Sequence, residues 1–292
     1  MELRYIITRV DALRADIDAL RPIDAEQEAR VMQMFRLDWN YHSNAIEGNT
    51  LTLGETRAFL LHGITAKGKP FRDYLDIKGH NEAIAYLEQL VGGQEVLTEA
   101  AIRELHKILL VEPYEVDAVT PDGWPTRRRI AIGQYKTAPN HVRTSTGEMH
   151  YYATPEETPA RMGDLMAWLR RELASGVLHP LVLAATFHYR FVGIHPFDDG
   201  NGRMARLLMN LTLMQLGYVP IVIRLESRTD YLLALEKADA GELADFVEMV
   251  GEALIGSLER YLRAARHQSL EEPGEFEHRV LRLHEQLASY ET

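Results

Sequence analysis

The sequence predicts an all-α fold, in which a helical core carries one small β-hairpin. Apolar residues recur at helical spacing along most of the 292-residue chain, and residues that cap helices precede several of these stretches. One polar segment, 129–152, instead shows short extended runs with Gly147 in the region of a turn, which is typical of a hairpin or flap. Because 46% of the residues are hydrophobic, the chain can fill a sizeable core.

The N-terminal third is predicted to be a helical assembly. Apolar residues at helical spacing over 3–20 predict an amphipathic first helix. Asp24 is suited to cap a second helix that extends to about Glu47, and a capping box that starts at Thr52 predicts a third. We therefore assign residues 1–92 to an N-terminal helical region.

Helical patterns continue through the rest of the chain. We assign 93–256 to a second, larger domain and 257–292 to a C-terminal helical tail, in which a linker near 271–274 precedes a last helix at 276–290. The other helical stretches cover 73–90, 99–110, 159–174, 179–192, 202–216, 227–238 and 242–265.

Composition narrows the classes of function. Lys and Arg number 32 against 43 Asp and Glu, so the formal charge is −11, which argues against a nucleic-acid groove. The chain has no cysteine, which excludes a disulfide framework and a thiolate zinc site. No apolar run approaches the roughly 18 residues of a membrane span. We expect a cytoplasmic protein without a membrane segment.

A polar, glycine-rich loop lies between two strongly apolar helical stretches. Residues 195–203 read His-Pro-Phe-Asp-Asp-Gly-Asn-Gly-Arg. Gly200 and Gly202 allow positive φ and close approach of a ligand, and the amides that follow them lie at the N-terminus of a helix. Arg203 and Arg206 share a face of the first turn of that helix. This combination predicts a nest for a polyphosphate.

Two further residues of the loop suggest chemistry. Asp199 is an acceptor-only group beside the nest and is suited to hold a Mg²⁺ ion that bridges phosphates, while His195 supplies a base that titrates near neutral pH. The residues therefore suggest transfer from a nucleoside triphosphate to a hydroxyl group. A plain turn is the alternative, since glycine-rich loops between helices are common. An EF-hand and a Walker A loop are excluded, because their fixed positions are missing.

The string from His195 to Arg206 resembles the signature of Fic proteins, HxFx(D/E)GNGRxxR, at every fixed position. The similarity extends over roughly 99–250, so it implies the all-helical Fic core with a β-hairpin flap over the active site, and it makes 93–256 the Fic catalytic domain. It also implies transfer of AMP from ATP, with Mg²⁺, to a Ser, Thr or Tyr hydroxyl of a protein. Fic proteins that phosphorylate tend to depart from the second glycine and the first arginine, and both are present here.

The resemblance assigns a role to each residue of the loop. His195 would be the general base, Asp199 the Mg²⁺ ligand and Phe197 a buried anchor. Tyr231 and Asp239, on a later helix, fall where the family lines its adenine pocket, although Asn is commoner at the second position. The nucleotide would be bound by Gly200, Asn201 and Gly202 as an amide cradle, by Arg203 as a phosphate clamp and by Arg206 as partner of the terminal phosphate.

A second motif lies far from the loop in sequence. Ser43-Asn-Ala-Ile-Glu47-Gly resembles the inhibitory motif (S/T)xxxE(G/N) of Fic proteins that have an N-terminal inhibitory helix. Ser43 and Glu47 share a helix face. In the family this glutamate pairs with the second arginine of the signature, here Arg206, and prevents the productive pose of ATP. A glutamate before glycine at a helix end is also ordinary, so the motif predicts inhibition only together with the signature.

The resemblance also makes the flap, about 129–152, the part that binds the target protein. Its segments 133–137 and 141–144 would hold the target by strand-like main-chain pairing, a mode that tolerates many sequences. The apolar face of the first helix could pair with a second copy, which makes a homodimer an alternative to a monomer.

The predicted function is therefore an autoinhibited protein adenylyltransferase. Two alternatives use the same site. One is removal of AMP from a modified protein, in which Glu47 activates water. The other is a regulator that senses nucleotide without catalysis, although an intact His195 and Asp199 favour an enzyme.

Overall fold

Helices form most of the fold, as the sequence predicts. The computed structural model describes residues 3–119, 124–143 and 149–268. The helices in these ranges are α1 (Leu3–Asp18), α2 (Ala25–Ile46), α3 (Leu53–His62), α4 (Phe71–Gly92), α5 (Glu99–Leu110), α6 (Thr158–Ser175), α7 (Pro180–Ile194), α8 (Asn201–Gln215), α9 (Arg228–Asp239) and α10 (Leu243–Ala265), with a 3-10 turn at Leu225–Ser227.

The N-terminal helices begin and end where their capping residues predict. The Asp24 side chain accepts hydrogen bonds from the Glu26 and Gln27 amides, at 3.1 and 3.0 Å, and so caps α2. Thr52 and Glu55 form the predicted capping box at the start of α3. These local signals were sufficient because each cap involves residues at most three positions apart.

The helices α7 and α8 lie in the middle of the molecule. Residues 203–213 of α8 are buried without interruption, which explains the nearly continuous apolar sequence around the loop. One hydrophobic cluster packs α4, α5 and α6 against this pair, and another packs α1, α2 and α10 against its opposite side. The loop between α7 and α8 is therefore held by two rigid helices.

The apolar face of α1 is buried within the chain. Ile6, Val10, Leu13 and Ile17 have almost no exposed surface, and α1 packs along α10. Ile6 lies so close to Gly251 that a side chain there would collide with it. The expectation that this face pairs with a second copy is therefore wrong, because α10 already covers it.

In the part of the chain that the structure describes, two antiparallel hairpins accompany the helices. β3 (Val142–Arg143) pairs with β4 (Met149–His150) inside the predicted flap, while the predicted turn at Gly147 lies outside the described residues. The second hairpin, β1 (Tyr114–Val119) with β2 (Pro125–Ile130), was not predicted. Its strands are rich in charged residues that pair across the hairpin. They therefore lack the alternation with buried apolar residues that predicts a strand from sequence.

Helix α10, the last one in the described part of the chain, runs through the proposed domain boundary at 256. Ser257, Leu258 and Tyr261 are buried just beyond it, so α10 is part of the core. The predicted linker at 271–274 and the helix at 276–290 lie outside the described residues. None of the described helices combines the length and apolar character needed to cross a membrane.

Candidate active site

The loop between α7 and α8 begins and ends in left-handed backbone conformations. His195 has φ 52° and ψ 58°, and Gly200 has φ 76° and ψ 5°. Glycine adopts this region freely, whereas a residue with a side chain loses about 1–2 kcal/mol there. His195 must therefore be held by its surroundings. The chain re-enters a helix at Asn201, so the amides of the first turn of α8 face the loop.

Asn201 braces the loop internally. Its Oδ1 accepts a hydrogen bond from the Phe197 amide at 2.9 Å, and its Nδ2 donates to the Phe197 carbonyl at 2.8 Å. The side chain of Asn201 is thus used within the loop, and its main-chain amide is the group that can join that of Gly202 in a nest.

Phe197 anchors the loop to α5. Its buried ring stacks on His106 with centroids 3.8 Å apart and planes at 8°. The Gly133 amide donates to His106 Nδ1 at 2.8 Å, so Nε2 carries the proton and donates to the Asp199 carbonyl at 3.0 Å. Burial lowers the pKa of His106 to about 4, which keeps the ring neutral. Sequence reasoning missed His106, because no local motif marks a histidine that acts through tertiary contacts.

Replacing Phe197 by alanine is expected to lower the free energy of unfolding by about 3–5 kcal/mol, because it leaves a cavity beneath the loop. Urea denaturation followed by circular dichroism measures the change. Phe71→Ala is the matched control: this ring is 73% exposed, and its loss is expected to change stability by less than about 0.5 kcal/mol. Equal losses in the two variants would contradict the role of Phe197 as an anchor.

Arg203 is buried between two helices of different regions of the chain. Its NH1 lies 2.9 Å from Asp76 Oδ1 on α4 and 3.4 Å from Asn44 Oδ1 on α2, and its NH2 is 4.0 Å from Asp199. Burial alone would lower the pKa of Arg203, but attraction to Asp76 and Asp199 outweighs it and raises the pKa. The guanidinium therefore stays charged. Asp76 is a partner that the sequence motifs did not reveal.

Arg206 meets both residues of the N-terminal motif. Its Nε donates to Ser43 Oγ at 3.0 Å and its NH2 to the Ser43 carbonyl at 2.8 Å. The same NH2 is 2.6 Å from Glu47 Oε1. Its NH1 lies 3.5 Å from the Tyr231 hydroxyl. The structure thus brings Ser43, Glu47 and Arg206 together, although they are far apart in sequence.

Glu47 lies directly over the first turn of α8. A side chain at Gly202 would collide with Glu47 Oε1, so this glycine is required for close approach and not for its φ. The Glu47 side chain is 40% exposed, whereas that of Arg206 is 3% exposed. The carboxylate can therefore leave without disturbing the core, while the guanidinium is fixed.

Asp199 has both carboxylate oxygens in hydrogen bonds. Oδ1 accepts from the Gly200 amide at 2.6 Å, and Oδ2 accepts from the Tyr114 hydroxyl on β1. Burial would raise the pKa of Asp199, but Arg203 and the Tyr114 hydrogen bond lower it, so the group is an anion. Arg72 stacks over the Tyr114 ring at 3.8 Å.

The described residues contain no cluster of three or more His, Cys, Asp or Glu side chains that could hold a metal by themselves. Asp199 remains 45% exposed and ionised beside the nest. A single carboxylate that shares a cation with bound phosphates is the usual protein contribution to a Mg²⁺ site. The donor set therefore fits Mg²⁺ that arrives with a polyphosphate.

The His195 ring packs edge-on against Tyr152, with centroids 3.9 Å apart. Burial, and next the charge of Lys136, lower the pKa of His195 to about 3. The sequence suggested a base that titrates near neutrality, whereas the structure gives one that is neutral well below that pH. His195 Nδ1 has no hydrogen-bond partner among the described residues.

His195 and Glu47 line a cavity of about 590 Å³. Tyr231 borders it, but this side chain is 2% exposed, and its hydroxyl lies 2.9 Å from His188 Nε2. Asp239 also lines the cavity, and its carboxylate is 3.4 Å from His150 of β4. The flap and α9 therefore meet across this cavity.

Part of the predicted flap is bound to the loop and does not present a free edge. The Gly133 amide is bonded to His106, and the Lys136 amide donates to the Pro196 carbonyl at 2.8 Å. The expectation that 133–137 pairs with a target strand is therefore wrong at these two amides, because His106 of α5 occupies the first and the α7–α8 loop the second.

The fold and the loop together define a helical protein in which a glycine-rich loop leads into the N-terminus of a core helix, a position where main-chain amides can bind an anion. The family model described as "Fic/DOC family" matches residues 96–213. A Fic domain containing signaling protein from Bacteroides thetaiotaomicron has a similar crystal structure. The two structures compare with a TM-score of 0.83, and the sequences are 38% identical. The match covers 91% of this chain and 100% of that chain. The chain belongs to the Fic/DOC family.

Two curated relatives are also similar. Protein adenylyltransferase Fic of Nematostella vectensis is 34% identical over 223 residues, which is 76% of this chain and 48% of that protein. Protein adenylyltransferase fic-1 of Caenorhabditis elegans is 32% identical over 268 residues, which is 91% of this chain and 48% of that protein. The chain thus spans about half the length of the curated relatives it matches.

Proposed function

We propose that this protein transfers AMP from ATP to a hydroxyl group of a protein, and that Glu47 restrains the reaction. The observation that carries the proposal is the convergence of His195, the buried and charged Arg206, and Asn201 and Gly202 at the start of α8 on one cavity, where Glu47 is bound to Arg206. Two relatives named protein adenylyltransferase support the same activity.

The polyphosphate of ATP binds where the loop supplies amides and positive charge. The amides at the start of α8 contact the phosphates, and Arg203 and Arg206 balance their charge. Asp76 and Ser43 keep the two guanidinium groups in fixed positions. Preorganised charge of this kind lowers the barrier, because little rearrangement is needed as the reaction proceeds.

His195 acts on the incoming hydroxyl. Its ring is neutral, and therefore Nε2 can take the hydroxyl proton as the oxygen attacks the α-phosphorus. The new P–O bond forms as the bond to the β-phosphate oxygen breaks, so pyrophosphate leaves and carries the remaining charge. Asp199 would hold Mg²⁺, which neutralises phosphate charge when bound.

Glu47 opposes this reaction by occupying Arg206. While the Glu47 carboxylate bonds to NH2 of Arg206, that donor is not free for the terminal phosphate of ATP. The carboxylate and the phosphate, both anions, would also lie close together. ATP then binds weakly or in an unproductive pose. Because Glu47 is the exposed member of the pair, its outward movement would release the site.

The position of the label in ATP tests the reaction. In Glu47→Gly protein, ATP labelled at the α-phosphorus is expected to label the protein itself, whereas ATP labelled at the γ-phosphorus is not. EDTA is expected to stop the transfer, because Asp199 alone does not replace the cation. Label from the γ-position would indicate phosphorylation. Binding of an ATP analogue without any transfer would support the nucleotide-sensing alternative.

A further inference from the structure

We infer that Lys136 and Asn140 are positioning residues, which hold His195 in its left-handed conformation through four consecutive backbone carbonyls. The inference rests on the proposed function of His195 and assigns to two residues a role that no motif indicated. Both lie in the segment between β2 and β3, and Lys136 is 2% exposed.

The two side chains and one amide bind successive carbonyls of residues 194–197. Lys136 donates from Nζ to the Ile194 carbonyl at 3.1 Å, and from its amide to that of Pro196 at 2.8 Å. Asn140 donates from Nδ2 to the His195 carbonyl at 3.1 Å and to the Phe197 carbonyl at 2.8 Å. Lys136 Nζ also donates to Asn140 Oδ1 at 2.8 Å, which orients the amide.

This arrangement satisfies a need specific to His195. Carbonyls at the C-terminus of α7 lack helical partners, and a positive charge is favourable there. The left-handed φ of 52° is also costly for a residue with a side chain. Four bonds to the turn compensate for both effects.

The His195 ring depends on this backbone for its orientation. A histidine base is usually held by a hydrogen bond to its second nitrogen, but His195 Nδ1 has none among the described residues. Packing against Tyr152 and the fixed turn then determine where Nε2 points. A displacement of about 1 Å at a reacting group can reduce a rate about 100-fold.

Asn140→Asp in the Glu47→Gly background tests the inference. It preserves size but replaces the donor to two carbonyls with an acceptor. We expect kcat for AMP transfer to fall at least about tenfold, with KM for ATP and the affinity for a non-hydrolysable ATP analogue within about twofold. Asn140→Ala removes the donor without adding charge, and we expect the same changes in kcat, KM and affinity.

The matched control is Asn81→Asp on α4. Asn81 Oδ1 accepts from Arg36 Nε at 2.8 Å, a bond that Asp can also accept, and no change in kcat is expected. An unchanged kcat in both Asn140 variants would overturn the inference. So would a parallel loss of ATP affinity, or failure of both variants to fold, because the residue would then serve the nucleotide site or the fold.

A readout without turnover separates this inference from the proposed function. The imidazole Cε1–Hε1 signal of His195, identified in NMR spectra by its loss in His195→Ala, is expected to shift in Asn140→Asp and to stay in place in Asn81→Asp. If the Glu47→Gly parent transfers no AMP, this NMR signal alone decides whether Asn140 positions His195. An unshifted signal would overturn the positioning role.

Discussion

Replacing Glu47 by glycine is expected to raise the rate of AMP self-labelling by about 10- to 100-fold. The substitution removes one charge-assisted hydrogen bond, and such bonds contribute roughly 1.5–3 kcal/mol, which corresponds to about 10- to 100-fold in an equilibrium. The released NH2 of Arg206 can then bind the terminal phosphate. Initial rates with α-labelled ATP, at ATP concentrations below KM, measure the change.

The local geometry indicates that Glu47→Gly frees a donor of Arg206 without straining the backbone or displacing the guanidinium. Glu47 has φ −87° and ψ 5°, which are ordinary values, so glycine introduces no strain there. Arg206 keeps its bonds to the Ser43 hydroxyl and carbonyl, at 3.0 and 2.8 Å, and thus its position. The end of α2 loses about 0.5–1 kcal/mol of local stability to the flexible glycine, an effect that melting temperatures will reveal.

Glu47→Gln is the matched control, because it preserves the shape of the side chain and removes its charge. If repulsion between carboxylate and phosphate causes the inhibition, Glu47→Gln is expected to approach Glu47→Gly. If occupation of Arg206 causes it, the glutamine stays close to the unsubstituted protein. Labelling that remains at the unsubstituted level in both variants would refute inhibition by Glu47.

The sequence was most informative where function is confined to a short segment. The loop 195–203 combines residues whose chemistry and spacing are fixed locally, so the start of α8 within it could be predicted before any tertiary contact was known. The N-terminal caps at Asp24 and Thr52 were predictable for the same reason. The meeting of Glu47 with Arg206 required the family resemblance, because spacing alone does not bring distant helices together.

The supports of the loop could not be predicted from the sequence. Asp76, His106, Lys136 and Asn140 act through contacts with residues at least 55 positions away, in one case 127 positions away. Each is an ordinary polar residue within its own segment. The β1–β2 hairpin was missed as well, although its Tyr114 contacts Asp199, because paired charges hide the alternation that marks a strand.

Replacing His195 by alanine in the Glu47→Gly background is expected to reduce AMP transfer by about 10²- to 10⁴-fold, the usual contribution of a positioned base. Binding of an ATP analogue is expected to persist, since Arg203, Arg206 and the amides of α8 remain. Label transfer and calorimetric titration of the analogue measure the two quantities. His195→Gln is the matched control, because glutamine fills similar space but cannot take a proton at neutral pH.

The pH dependence distinguishes a base from a residue that only fills space. An unperturbed histidine has a pKa of about 6.5 and would lose half of its neutral form there. Burial lowers the pKa of His195 to about 3, so the neutral form persists and kcat/KM is not expected to fall between about pH 8 and 6 through this group. The anionic nucleotide favours the imidazolium and raises the pKa of His195 in the complex, so the acid limb of kcat lies at higher pH than that of kcat/KM.

The affinity of the ATP analogue, measured across the same pH range, corrects for protonation of the nucleotide. A kcat/KM profile with a midpoint near 6.5 after this correction would contradict the buried, neutral base, and unchanged activity in His195→Gln would exclude His195 as the group that takes the proton.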